Sequence, residues 1–285
     1  MKNPLVLACI DGSSYAPAVC DAAVWSALRM DAPLKFLHLL AKEQSPPPAD
    51  LSGSIGLGAR ETLLEELAAL DEQRGKLARE QGRQLLAAAR ERASAAGMAE
   101  TEGLQRLGGL VETLTELEDG IRLLVLGKRD EAAQVAAEHL GSHLERVIRA
   151  LHRPTLVTTG EFRPPQRVML AYDGSATARK GLEMVAKSSL FKGLPCHLVM
   201  VGADTAEARA ELGRARQILE LAGFEVPTAL LPGDAESVLG RYQQEQSIDL
   251  MIMGAYGHSR IRHLLIGSTT TAMLRKSAIP LLLLR

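Results

Sequence analysis

The 285-residue chain has few cysteines, few aromatics, almost no net charge and no long apolar run. Each shortage removes a class of function. Three cysteines, Cys9, Cys20 and Cys196, are too few and too odd a set for a disulfide framework, and they suit a reducing cytoplasm. Aromatics at 3 % leave little with which to stack nucleic-acid bases. Thirty-three Lys+Arg against 34 Asp+Glu give a net charge of -1, without the basic excess that nucleic acid or an anionic membrane surface selects. No stretch approaches the ~18 apolar residues that span a bilayer, and the opening MKNPLVLACIDGS lacks a signal-peptide core with a cleavage site. Nor is there a Walker A loop, a His-Glu-x-x-His, a Cys-x-x-Cys or a Gly-x-Ser-x-Gly. Gly53-Ser-Ile-Gly56-Leu-Gly58 has the wrong spacing for a dinucleotide fingerprint.

What the chain does have is repetition. Residues 5–13 read LVLACIDGS and residues 167–175 read RVMLAYDGS. LGGLVETL at 107–114 resembles LPGDAESVL at 231–239, and IRLLVLGKRD at 121–130 resembles IDLMIMGAYG at 248–257. GSHLERVIRALHRPTLVT at 141–158 resembles GSTTTAMLRKSAIPLLLL at 267–284. Four segments recurring in one order predict two copies of one domain, residues 1–160 and 161–285, joined through the Pro-containing segment Gly160–Pro165. The copies differ in charge. Residues 1–160 hold 18 Lys+Arg against 22 Asp+Glu, and residues 161–285 hold 15 against 12. This is either scatter or a second half that faces an anion.

In the second copy, short apolar runs at Val168–Tyr172, His197–Val201, Val226–Leu231, Leu250–Met253 and Leu281–Leu284 read as buried strands. Helical patterns separate them, at Ala176–Leu190, Ala206–Leu221, Ala235–Gln244 and from Ser268. Strands alternating with helices predict βαβ units in a parallel sheet covered on both faces. The first copy follows the same plan with an insertion. A Pro- and Gly-rich loop spans residues 45–58, then a helical pattern runs from Arg60 to Ala96. Its Leu63, Leu67, Leu70, Leu77, Leu85 and Ala89 fall near helical spacing. That stripe either packs on the domain's own sheet or serves as a lid or dimer contact.

The most informative stretch is Gly254-Ala-Tyr-Gly257-His-Ser-Arg-Ile-Arg-His-Leu-Leu-Ile-Gly267-Ser268-Thr269-Thr270. It leaves a strand at two glycines that permit close backbone approach, and it ends at a helix head rich in hydroxyls. A helix N-terminus offers orphan N–H groups and a positive dipole end, which together cradle phosphate. His258, Arg260, Arg262 and His263 lie between, either as solvent-facing loop residues or beside the anion. Asp173 follows the first strand of this copy. There it can accept from ribose hydroxyls across the crevice at the topological switch point, or simply form an Asx turn. Ser13, Ser14 and Ser175 read as turn or cap residues.

With these motifs the sequence resembles the universal stress protein family, as a tandem two-domain member, over nearly its whole length. The most specific part is Gly254-x2-Gly257-x9-Gly267-Ser268, the ATP pattern of that family's nucleotide-binding branch. The resemblance implies an α/β fold of two tandem doubly wound five-stranded parallel-sheet domains, akin to the adenine nucleotide alpha hydrolases. It places Ala171, Asp173 and Val201 near adenosine, and Met253, Gly254, Gly257 and His258 along the loop. Gly267, Ser268, Thr269 and Thr270 then hold the phosphates, with a magnesium or manganese ion. It also implies pairing of the two domains through their last strands, as an internal pseudo-dimer, with a homodimer as a further option.

The first copy departs from the pattern. Asp130 stands where Gly257 stands, Glu131 is beside it, and ten residues rather than nine separate Asp130 from Gly141-Ser142. Negative charge where phosphates belong repels them, so no ATP is expected in this half. Its pocket is either vestigial or holds a second ligand. The expected function is a cytoplasmic stress-response protein that binds ATP in its C-terminal half. No general base or two-carboxylate metal clamp is evident, so hydrolysis is expected to be slow at most and no catalytic residue is assigned. The rival expectation is a non-enzymatic scaffold or lipid-binding module whose N-terminal half carries the ligand.

Overall fold

Apolar runs four to seven residues long are too short for helices and too continuous to leave a face in water, so they form a sheet covered on both sides. The computed structural model describes residues 4–40, 57–128, 142–255 and 268–285. Its first half contains β1 (Leu5–Cys9), α1 (Ala16–Met30), β2 (Leu34–Leu40), α2 (Leu57–Ala95), β3 (Thr101–Leu107), α3 (Leu110–Leu117), β4 (Ile121–Gly127), α4 (Ser142–Ala150) and β5 (Thr155–Thr158). The second contains β6 (Val168–Ala171), α5 (Ala176–Lys187), β7 (Cys196–Val201), α6 (Ala206–Leu221), β8 (Thr228–Leu231), α7 (Ala235–Glu245), β9 (Leu250–Gly254), α8 (Ser268–Lys276) and β10 (Leu281–Leu284). The loop read at 45–58 mostly lies outside the described residues, and α2 begins at Leu57, three residues before its sequence signal. The strand expected from Val226 starts at Thr228, because Pro227 has no N–H to give a ladder, although its carbonyl accepts from Leu198 at 2.8 Å. The helix expected to reach Leu190 stops at Lys187.

The ten strands form one sheet in the order β3-β2-β1-β4-β5-β10-β9-β6-β7-β8. Each half is a five-stranded parallel, doubly wound unit with its first strand central. The halves meet where β10 runs antiparallel to β5, pairing Leu281 with Val157, Leu282 with Leu156 and Leu283 with Thr155. β5 and β10 are fully buried, and as bare edges two such apolar strands would invite aggregation; here each covers the other. α1, the end of α2, α5 and α6 supply the core on one face, and α3, α4, α7 and α8 supply it on the other.

Further ties cross the junction. Trp25 of α1 packs on Phe162 (ring centroids 5.7 Å) and Phe191 (6.1 Å), so the segment read as a linker is anchored through Phe162, which is buried. The Arg29 Nε donates to the Leu190 carbonyl at 2.9 Å. Arg285 donates from Nη1 to the carbonyls of Arg149 at 2.6 Å and Leu151 at 2.8 Å, closing the C-terminal end of α4 from the other half.

α2 is the element that least fits the doubly wound plan. Its 39 residues make a helix about 58 Å long, whereas seven-residue β2 and β3 reach only about 23 Å. Among the described side chains, those that lie on the sheet are in its C-terminal part. Leu86, Ala89 and Ala93 are buried, and Arg92 grips Asp21 of α1 through two bonds of 2.6 and 2.8 Å. Leu67, Leu70 and Leu77 are 48 %, 50 % and 70 % exposed, so of the described stripe residues only Leu85 and Ala89, in the last turns, pack on the domain's own core, and the Leu63 side chain lies outside the described residues.

Candidate nucleotide site

Three of the predicted residues are brought together by strand order. β9, β6 and β7 are neighbours, Met253 pairs with Ala171, and Ala171 pairs with Val199. Val201 lies two residues beyond Val199, so period-2 alternation puts it on the same face. All three pack in the core cluster that also holds Met273 of α8. Met253, Ala171 and Val201 therefore share one face at the carboxyl ends of adjacent parallel strands, beside the switch point where β6 feeds one way and β9 the other.

Asp173 follows directly. Its Oδ1 accepts from the Ser175 N–H at 2.9 Å, and the Ser175 Oγ accepts from Ala178 N–H at 3.1 Å as the N-cap of α5. Gly174 between them has φ +70°, in the left-handed region that costs an L side chain energy. The Asx-turn reading of Asp173 thus holds, and Ser175 is the cap its position suggested. The first half repeats the turn: Asp11 Oδ1 accepts from Ser13 N–H at 3.0 Å.

On the far side, Gly254 ends β9 and Ser268 begins α8. Thr270 is buried, with an exposure of 3 %, and its Oγ1 donates to the Gly254 carbonyl at 3.2 Å. That bond holds the first turn of α8 against the strand end. Thr269 beside it is half-buried. Gly257, His258 and Gly267, with Arg260, Arg262 and His263, lie outside the described residues, as do Asp130, Glu131 and Gly141 of the first half. Ser268 is placed as the first residue of α8.

Sequence reasoning missed the network that fixes the Asp173 turn. Tyr172 donates its hydroxyl to Glu211 Oε1 of α6 at 2.6 Å, Arg179 of α5 donates to the same oxygen at 2.8 Å, and Arg214 reaches Oε2 at 2.5 Å. These donors, Arg179 first and then Tyr172 and Arg214, pull the Glu211 carboxyl down to about 2. Burial, and next the bond to the carboxylate, push the Tyr172 phenol up to about 12. A Cβ on Gly174 would meet the Glu211 side chain at 3.3 Å, so the carboxylate lies directly against the turn. The one available signal was a tyrosine closing an otherwise aliphatic strand.

Among the described residues no three His, Cys, Asp or Glu side chains converge as a metal site, and no helix is long and apolar enough to cross a membrane. The thiols show no activation. Burial raises all three, Cys20 and Cys196 to about 12, and Asp11 adds to the effect at Cys9. An apolar cavity of about 280 Å³ lies elsewhere, at the junction of the halves, over Leu123, Leu282 and Leu284 and beside Phe191; no predicted site residue lines it.

Comparison with known proteins gives a consistent result. The sequence model of the Universal stress protein family matches residues 4–159 and 198–285. A universal stress protein of Synechocystis sp. is 42 % identical over 289 residues, covering all of both chains. A universal stress protein of Methanocaldococcus jannaschii is 27 % identical over 81 residues, 28 % of this chain and 50 % of that one. Among solved structures, a universal stress protein from Archaeoglobus fulgidus DSM 4304 superposes with a TM-score of 0.72 at 18 % identity, covering 100 % of this chain and 99 % of that one. At that identity the likeness speaks for the fold.

Proposed function

The chain belongs to the universal stress protein family, and on that premise we propose that its second half binds ATP as a nucleotide-dependent stress sensor or regulator. The observation that carries this reading is the convergence at one sheet edge. Ala171, Val201 and Met253 offer an apolar floor, the Asp173 turn stands on one side, and the head of α8 with Thr269 and Thr270 stands on the other. An adenine ring suits the floor, ribose hydroxyls suit a carboxylate, and phosphates suit helix N–H groups with the dipole behind them. The Gly254–Gly267 segment supplies the remaining contacts in this reading, with Gly257, His258, Gly267 and Ser268 on the phosphates.

In this reading a magnesium or manganese ion enters bound to the triphosphate. The reading assigns the chain to the cytoplasm, sets the two units at residues 1–160 and 161–285, and confines ATP to the second. It assigns no catalytic residue.

Isothermal titration of the full chain with ATP tests it. Saturation near one nucleotide per chain is expected. Gly257→Asp, which copies Asp130 into the second half, should weaken binding by at least about 100-fold through like-charge repulsion with the phosphates. Unchanged affinity in that variant, or two equal sites per chain, overturns the reading.

A further inference from the structure

The Asp173 turn carries a clamp that its twin in the first half cannot build. Glu211 of α6 grips the turn on both flanks. Its Oε1 accepts from the Tyr172 hydroxyl at 2.6 Å, immediately before the turn, and from the Arg179 Nε at 2.8 Å, in the first turn of the helix that follows. Arg214 occupies Oε2. The Glu211 side chain is only 14 % exposed, whereas Asp173 lies at the surface. In the first half Ile10 replaces Tyr172, and α1 holds no basic residue before Arg29, close to its C-terminal end.

Closing the turn does not require this pair of donors. Asp11 accepts from the Ser13 N–H at 3.0 Å where both are absent, much as Asp173 accepts from the Ser175 N–H at 2.9 Å. What the clamp changes is the fixity of the turn. Gly174 takes the left-handed conformation, at φ +70°, with its backbone so close to Glu211 that a Cβ would meet the Cγ at 3.3 Å; among the described residues Gly12 is not one of the left-handed glycines. Charge-assisted bonds before and after the turn hold the strand end and the helix start to one carboxylate. An exposed Asp173 mounted on that frame meets a ligand hydroxyl with part of the ordering cost already met.

We infer that Glu211 is a positioning residue for the sugar. By holding both flanks of the turn it sets the Asp173 carboxylate for ribose hydroxyls, and so makes the site select ribonucleotides over analogues that lack them. This role rests on the proposal that ATP binds in the second half with its ribose at Asp173, and it adds sugar selectivity to that site.

Isothermal titration of the full chain with ATP and with dideoxy-ATP, which lacks both ribose hydroxyls, tests this. The wild type should bind ATP at least about 10-fold more tightly than the analogue, as a hydrogen bond to a charged group allows. In Glu211→Ala the ATP affinity should fall until that preference is nearly gone, while the dideoxy-ATP affinity stays the same. Tyr172→Phe should shift the ratio in the same direction by about 3-fold or more, and it decides should Glu211→Ala fail to fold, because it removes one hydroxyl and keeps the ring in the core. Asp173→Ala should show no preference, and adding Tyr172→Phe to it should cost nothing further, since the hydroxyl acts through Asp173. Equal loss for both nucleotides, or losses that add to Asp173→Ala, would mark plain structural support and overturn the inference while leaving the ATP site standing. A wild type that binds both nucleotides equally overturns the ribose contact and the inference with it. A wild type that binds neither overturns the ATP site itself.

Discussion

The two halves share a strand order and a turn, yet their clefts differ at nearly every lining position. Where the second half has Ala171, Met253 and Thr270, the repeat alignment gives the first half Cys9, Leu126 and Leu144, and the strand register sets Leu39 in the place of Val201. Tyr172 is replaced by Ile10, so the hydroxyl that anchors the Asp173 turn to Glu211 has no equivalent beside Asp11. Leu144 is buried at 4 % exposure where Thr270 reaches the Gly254 carbonyl. The fold keeps what makes the sheet, namely apolar strands and Asp-capped turns. The lining has diverged within that frame, with larger aliphatic side chains at Leu39 and Leu144 of the first half where the second has Val201 and Thr270.

The comparison can be broken most severely at the junction. Leu156 is fully buried in β5 opposite Leu282, and both halves pack around it. Leu156→Ala should cost about 2–5 kcal/mol in urea unfolding while leaving one transition, since the sheet is continuous. Two separated transitions in the wild type would show that the halves are independent units.

A smaller effect sharpens the difference between the clefts. Thr270→Leu copies Leu144 into the second half and removes the bond to Gly254. ATP affinity by calorimetry should fall about tenfold, equivalent to about 1.4 kcal/mol, with the fold retained. Unchanged affinity would mean that the head of α8 does not depend on that bond.

The smallest effect concerns the Glu211 network, which the first half lacks at Ile10. Glu211 has its carboxyl depressed to about 2 in the fold, so its contribution is present above the ordinary carboxylate range and is lost as pH falls toward that value. Glu211→Gln should therefore be less stable than the wild type at neutral pH, by roughly 1 kcal/mol because the surrounding guanidinium groups are solvated. The deficit should shrink between about pH 4.5 and pH 2. A deficit that stays constant over that interval in acid titration would mean that the network contributes nothing through charge.

Much of the fold was legible because its signals are local. Short apolar runs such as Leu250–Met253 have to be buried strands, and Asp-Gly-Ser after two of them marks equivalent turns. The repeat then made two doubly wound units out of one pattern. One part of the candidate site was legible for the same reason: Asp173 and Ser175 are turn and cap chemistry, written in neighbouring residues.

The rest depended on residues far apart in the chain. That β5 and β10 join antiparallel into one ten-stranded sheet rests on two apolar edges finding each other across more than a hundred residues. Glu211 became a partner of Tyr172 only when α6 was laid against α5. The α2 stripe read as continuous, and only the length of β2 and β3 decided that Ala89 would be buried and Leu77 left in water. Local propensity fixes elements through the residues beside them. Which surface meets which is decided by burial and pairing across the whole chain, and this determined the junction, the anchored turn and the overhanging helix.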